Sequence, residues 1–576
     1  MADREAELEE AKRRRQETSH RIVGSDADKR LIIAGPGTGK TYNFRGALEA
    51  VGGGGLALTF IRALVRDLAR DLDGLAQANT FHGYCKYLAH SLGVEGLTSN
   101  FDYYPPFLIL AGEDMELLGM PGVGRPELER ALQNLDDSDG LITKLLEIGG
   151  YYDAVSHTDV VYRVLLRLRA DSDAIPKWPL VVVDEYQDFS KLETEFIEVL
   201  SSVSPVLVAG DDDQALYTFK HASANFIREL AERDDYERFD LPNCSRCTEV
   251  IVGAVNNVVD EAQSRGDLAE RLDKEYLCYL PDKLEDSEAH PAIIHAACST
   301  ETNRARYMGR YVVEQVGRVP ETDIVESHKE GYPTVLVIGR RHFVKRVYDD
   351  LKKVFPQAVY RPSPDLTVDL LDGYRRLARN ARARLAWRIV IHERPFGGWQ
   401  DELKKILAGA ELFDCLQSDY RDEHLRIAEI VRKILDDELV EGDEVRVLED
   451  GVGQSLDEIR AALGRDEEGA AEAEQESEGP DENAPTIICT SLLGAKGLSA
   501  AYVFLVGFID GEFPNDPRKP TDDEICKLLV ALSRTRKACH LVSSGRFGEN
   551  WASPSSFLAW LGVDIDERVV NKEYWA

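Results

Sequence analysis

Short apolar runs alternate along this chain with longer stretches whose hydrophobic positions return every third or fourth residue. The runs at 31–34, 56–60, 180–183, 205–210, 334–338, 486–490 and 502–506 show little polar alternation, which is the pattern of parallel strands covered on both faces. Residues 292–295 read as one more strand. Helices are expected over 84–92, 160–168, 312–316 and 343–354. Strands alternating with helices predict an α/β fold built on parallel sheets. Two stretches break the alternation. Residues 96–175 read as helical, and so do 366–465, where Ile427, Ile430, Val431, Ile434 and Leu435 form one apolar stripe at helical spacing. Both look like insertions. Residues 466–484 are acidic and poor in large apolar groups, and read as a disordered linker.

Composition narrows the class. At 576 residues the chain holds several structural units, and 43% apolar residues supply substantial cores. Nine scattered cysteines, an odd number, fit a reduced protein rather than a disulfide framework. With no signal peptide and no membrane-length apolar run, a soluble cytoplasmic protein without a membrane partner is expected. The formal charge of −34 matters most. Affinity for a phosphate backbone comes from Lys and Arg, so a nucleic-acid surface here has to be a local basic track on an acidic body. The run Lys12–Arg15 reads first as a solvated helix face.

Candidate chemistry sits at the ends of the apolar runs. The first runs into Ala34-Gly35-Pro36-Gly37-Thr38-Gly39-Lys40-Thr41, a glycine-rich loop whose backbone N–H groups can face phosphate oxygens. Lys40 is placed to reach the β- and γ-phosphates, and Thr41 to hold Mg²⁺. The run at 180–183 delivers Asp184-Glu185-Tyr186-Gln187-Asp188 to the edge where ligands bind in open α/β sheets. Asp184 suits Mg²⁺, and Glu185 suits orienting or deprotonating an attacking water. The run at 205–210 ends in Asp211-Asp-Asp-Gln214, followed by Tyr217 and Phe219. Cys244-x-x-Cys247 admits a zinc reading, but no second ligand pair stands nearby to complete four.

The phosphate loop, then Asp-Glu-Tyr-Gln-Asp, then Gly-Asp-Asp-Asp-Gln, in that order, resembles motifs I, II and III of the UvrD/Rep/PcrA group of superfamily 1 DNA helicases. Other segments are similar residue by residue. Gln16 stands near the place of an adenine-reading glutamine. The stretch with Thr59, Phe60 and Arg62, and Thr80-Phe81-His82 beyond it, are similar to DNA-contacting motifs. Gln214 is similar to the γ-phosphate sensor, and Tyr217 and Phe219 to residues that stack unpaired bases. Arg246 stands in the place of motif IV's arginine, Lys496 and Gly497 in motif V, and Arg534 in motif VI beyond Glu524. There are departures. Ser245 replaces an adenine-stacking aromatic, Leu493 a histidine, and Ser499 a ribose-contacting glutamate.

The resemblance implies two RecA-like domains with ATP and Mg²⁺ between them. The first would comprise 1–95 and 176–240 with the helical insertion 96–175, and the second 241–365 and 485–576 with a reduced helical insertion at 366–465. It implies an ATP-dependent helicase or translocase moving 3′ to 5′ on single-stranded DNA or a 3′-tailed duplex. Two other readings stay open: a DNA-stimulated ATPase serving as sensor or regulatory subunit of a nuclease complex in phage defence, and a nucleotide-binding scaffold without turnover. Too few residues follow Arg536 for a fused nuclease, so a nuclease partner is expected to be a separate protein.

Overall fold

The computed structural model describes residues 2–59, 62–216, 223–362, 366–464 and 484–575. The chain is α/β, with two parallel sheets. The first has six strands: β1 (Lys29–Ala34), β2 (Gly55–Thr59), β3 (Ala76–Thr80), β4 (Val181–Val183), β5 (Val206–Gly210) and β6 (Glu237–Leu241), in the order β3-β2-β4-β5-β1-β6. The second has seven: β7 (Ile293–Cys298), β8 (Val335–Gly339), β9 (Val359–Arg361), β10 (Ile487–Ser491), β11 (Ala500–Val506), β12 (Thr535–Ser544) and β13 (Ile565–Val570), in the order β9-β10-β8-β11-β12-β7-β13. Every pairing in both sheets is parallel.

Period-two packing explains why the central runs have no polar face. In the first sheet Leu31, Ile33, Val181, Val183, Val206 and Val208 bury against one helical layer. Ile32, Ala34, Val182, Leu207 and Ala209 bury against another that includes Phe44 and Leu48. The second sheet repeats the arrangement, with Leu336, Ile338, Val503 and Leu505 on one face and Val335, Val337, Phe504 and Val506 on the other. Side chains alternate across a strand, so both faces must be apolar when both are covered.

The helices of the two expected insertions do not form separate bodies. Residues from 104 to 154 and from 368 to 463 share one hydrophobic core, in which Phe107, Leu110, Tyr152, Tyr374, Trp387 and Val431 are fully or almost fully buried. At its centre Arg388 donates to Asp114 at 2.8 Å, and Tyr152 donates to the other Asp114 oxygen at 2.9 Å. Tyr151 and Arg384 add hydrogen bonds across the same seam.

Candidate nucleotide site

The loop after β1 begins at the C-terminal end of a buried strand and runs into the helix Lys40–Ala50. Gly37 and Gly39 have φ of +71° and +91°, a left-handed backbone that glycine enters without strain. Gly37 is also held by contact, because a Cβ there would stand 2.3 Å from the Cβ of Arg246. The Ser245 N–H and hydroxyl both donate to the Gly37 carbonyl, at 2.9 and 3.2 Å. Tyr276 lays its ring over Gly35 and donates toward the Pro36 carbonyl at 3.1 Å. Thr38 donates to the Gly35 carbonyl, and Asn43 to that of Gly39, both at 2.9 Å. The segment after β6 is therefore fitted onto the loop.

Lys40 Nζ lies 3.4 Å from Glu185 and 3.8 Å from Asp184, both at the end of β4. Glu185 has φ of +57°, uncommon for a residue with a side chain and a mark of backbone held by its surroundings. Burial pushes the Asp184 carboxyl up to about 6, with the neighbouring Glu185 charge adding to it. Glu185 goes the other way: against its burial, Lys40 and Lys496 hold it well below the usual carboxylate range. Burial also works against the Lys40 ammonium, but the two carboxylates more than offset it and raise its pKa. Adjacent carboxylates thus have opposed proton affinities, one suited to staying ionised beside cations.

Gln187 links this strand to the next, donating to Glu185 at 2.6 Å and accepting from the Asp211 N–H at 3.0 Å. Gln214 donates to Asp211 at 2.7 Å and accepts from Arg534 at 2.8 Å. Arg534 follows directly on the helix Asp522–Ser533 and is almost fully buried. Burial and the charge of Arg246 bring its pKa down to about 10, so it remains a cation at neutral pH. Lys496 arrives from the turn after β10. It pairs with Asp188, stands 3.7 Å from Glu185 and donates to the Gln214 carbonyl at 2.8 Å. Lys40, Asp184, Glu185, Gln214, Arg246 and Arg534 therefore converge, although they come from strand ends in two different sheets.

Other expected residues stand elsewhere. Gln16 is exposed on the helix Ala2–Val23, and its neighbour Arg15 instead faces Gly39 and stacks over Tyr279, 4.4 Å from the ring centre. Phe81, expected to contact DNA, is core: it is fully buried, with ring centres of Phe189 and Phe196 at 5.4 and 5.1 Å. Thr59 is fully buried at the end of β2, and His82 is half-buried beside His157. Arg62 opens the helix Arg62–Leu72, but its side chain, Phe60, Tyr217 and Phe219 lie outside what is described. Of the departures, Ser499 accepts from Arg536 at 3.1 Å and Leu493 packs on the second sheet's core.

Sequence reasoning missed three groups. Gln187 has no role legible from the sequence. Tyr276 and Lys274 had no signal, because their partners lie far along the chain. Lys274 meets Asp211, Asp212 and Asp213, while Arg271 and Arg228 take further oxygens of Asp213 and Asp212. That carboxylate cluster is neutralised by the protein's own cations. Cys244 and Cys247 are not among the described clusters of metal-binding side chains, which leaves the zinc reading without ligands.

A phosphate loop, two carboxylates at the end of another strand of the same sheet, Arg246 after β6 and Arg534 reaching in from the second sheet define a P-loop nucleotide-binding protein with a cleft between two parallel sheets. Comparisons make the class particular. Residues 125–235 match the family model of the UvrD/REP helicase N-terminal domain. The chain is 24% identical to the ATP-dependent DNA helicase UvrD1 of Mycobacterium tuberculosis, over 91% of this chain and 81% of that protein. It is 22% identical to DNA helicase II of Haemophilus influenzae, over 62% of this chain and 54% of that one. The chain is thus similar to UvrD-type DNA helicases over most of its length.

Proposed function

We propose that this protein is an ATP-dependent DNA helicase that moves 3′ to 5′ on single-stranded DNA, using ATP and Mg²⁺ held between its two sheets. The observation that carries the reading is the continuous path Lys40–Glu185–Lys496–Gln214–Arg534, which crosses from the first sheet to the second. Backbone N–H groups from Ala34 to Thr41 cradle the phosphates, and Gly497 borders the nucleotide. Lys40 neutralises the transferring phosphoryl group, and Thr41 and Asp184 hold the metal, which supplies further neutralisation. Glu185 orients the attacking water, Gln214 reports the γ-phosphate to the rest of the cleft, and Arg246 and Arg534 neutralise developing charge. Arg246 and Arg534 gain their strongest partner when a γ-phosphate is present. Triphosphate thus favours closure more than diphosphate does, which is the condition for coupling hydrolysis to motion.

We assign residues 1–95 and 176–240 to one motor domain and 241–365 and 485–576 to the other. Strand contacts are assigned to Thr59, Phe60, Arg62, His82, Tyr217 and Phe219. The protein works in the cytoplasm, and any strand cutting falls to a separate nuclease. Among the described residues no helix is long and apolar enough to cross a membrane. Strand displacement from duplexes carrying a 3′ or a 5′ tail, with ATP, tests the reading. Unwinding of the 3′-tailed duplex alone is expected. DNA-stimulated hydrolysis without unwinding of either would replace the helicase with an ATPase of regulatory role.

A further inference from the structure

The Cys244-x-x-Cys247 pair is used by neither the nucleotide site nor a metal, yet it closes the turn that carries Arg246. Both thiols are fully buried, and both converge on one phenol: Tyr276 Oη lies 3.1 Å from Cys244 Sγ and 3.8 Å from Cys247 Sγ. The Cys247 N–H donates to Cys244 Sγ at 3.4 Å, one turn ahead of the helix Glu249–Arg265, whose positive end favours a thiolate. Against burial, hydrogen bonds from Cys247 and Tyr276 bring the Cys244 thiol down to about 6. The pair adjoins the segments that carry both arginines. Arg246 lies between the two cysteines in sequence, against Gly37, and the Cys247 thiol donates at 3.6 Å to the carbonyl of Ser533, the residue before Arg534. Tyr276 also lines the open cleft with Gly35, Pro36 and Gln214, so a small molecule in that cleft reaches the phenol covering the thiols.

We propose that Cys244 and Cys247 are an oxidation site at which a peroxide entering the cleft forms a disulfide, displaces Arg246 and switches nucleotide hydrolysis off. The Cys244 thiolate attacks the peroxide O–O bond, giving a sulfenic acid and hydroxide, which takes up the proton Cys244 had released. Cys247 then attacks that sulfur, the S–S bond forms, and the sulfenic oxygen leaves as water with the Cys247 proton. Two thiols thereby reduce one peroxide to two waters. Forming the bond removes the Cys247 hydrogen bond to Ser533 and tightens the Ser245–Arg246 turn against Gly37, where no slack exists. The loss of hydrolysis rests on the proposed function, whereas the disulfide itself does not.

The test treats the full-length protein with hydrogen peroxide and then dithiothreitol, following ATP hydrolysis and non-reducing peptide mapping together. Mapping is expected to find Cys244 joined to Cys247, with hydrolysis down about tenfold or more, since arginines on a transferring phosphate contribute far more than that. Reductant restores both. Cys247→Ser is expected to hydrolyse ATP and to ignore peroxide, and mapping of the unaltered protein decides the matter even if that variant fails to fold. The proposal is overturned if both thiols stay free, or if they join while hydrolysis is unchanged. A protein inactive before oxidation overturns the ATPase reading instead, and mapping still decides the thiol pair.

Discussion

Asp184 and Glu185 are chemically near-identical neighbours that the fold drives apart. Burial raises one and two lysines depress the other, so the pair is set up for different tasks by position alone. Lys40 is the group both depend on, and Lys40→Ala is expected to abolish ATP hydrolysis while the protein still folds. Surviving hydrolysis would mean that the phosphate loop is misassigned. The raised Asp184 also fixes a pH signature. Its folded state holds the proton more tightly than the unfolded chain, so its contribution to ligand-free stability falls as pH rises from about 4 through about 6, and the penalty persists above that. Urea midpoints of wild type and Asp184→Asn across that window are therefore expected to diverge, with the variant losing less. Equal losses would remove the buried carboxyl from the account. At this scale the structure brings together Lys40 and Glu185, where the expected chemistry is local, and places Phe81, an aromatic beside a motif, in the core.

Elements were legible in proportion to their burial. The central strands β1, β2, β4, β5, β8, β10 and β11 have apolar residues on both faces and could be read directly. The edge strands β3, β6, β9 and β13 carry polar residues such as Gln77, Asn79, Glu237 and Arg238, and their pattern does not separate them from loops. β12 was missed for another reason: it starts one residue past Arg534 at the end of a helix, without a turn signal between. That junction is what anchors Arg534 against Gln214. The helical segments were legible as helices but not as partners, because the Arg388–Asp114 pair joins positions remote in sequence. Removing one member of a buried ion pair costs about 3–5 kcal/mol when the other is left uncompensated, and Arg388 keeps Glu113 as a partner, so Asp114→Ala is expected to destabilise the shared helical core by up to that amount. Trp387 and Trp399 sit in that core and report its unfolding by fluorescence in urea. An unchanged midpoint would show that the seam carries no stability.

The whole molecule is two sheets joined three ways: by the chain, by the nucleotide cleft and by a helical body to which both expected insertions contribute. The proposed closure of the cleft would be accommodated by that body moving as a unit or by its links to the sheets. The central claim is that one triphosphate is held from both sheets at once, and Arg534 is the residue through which the second sheet enters. Steady-state ATP hydrolysis of Arg534→Ala, at saturating ATP and single-stranded DNA, tests it most directly. The expected result is a fall of about 10³-fold or more with nucleotide binding retained. A rate equal to wild type would contradict it.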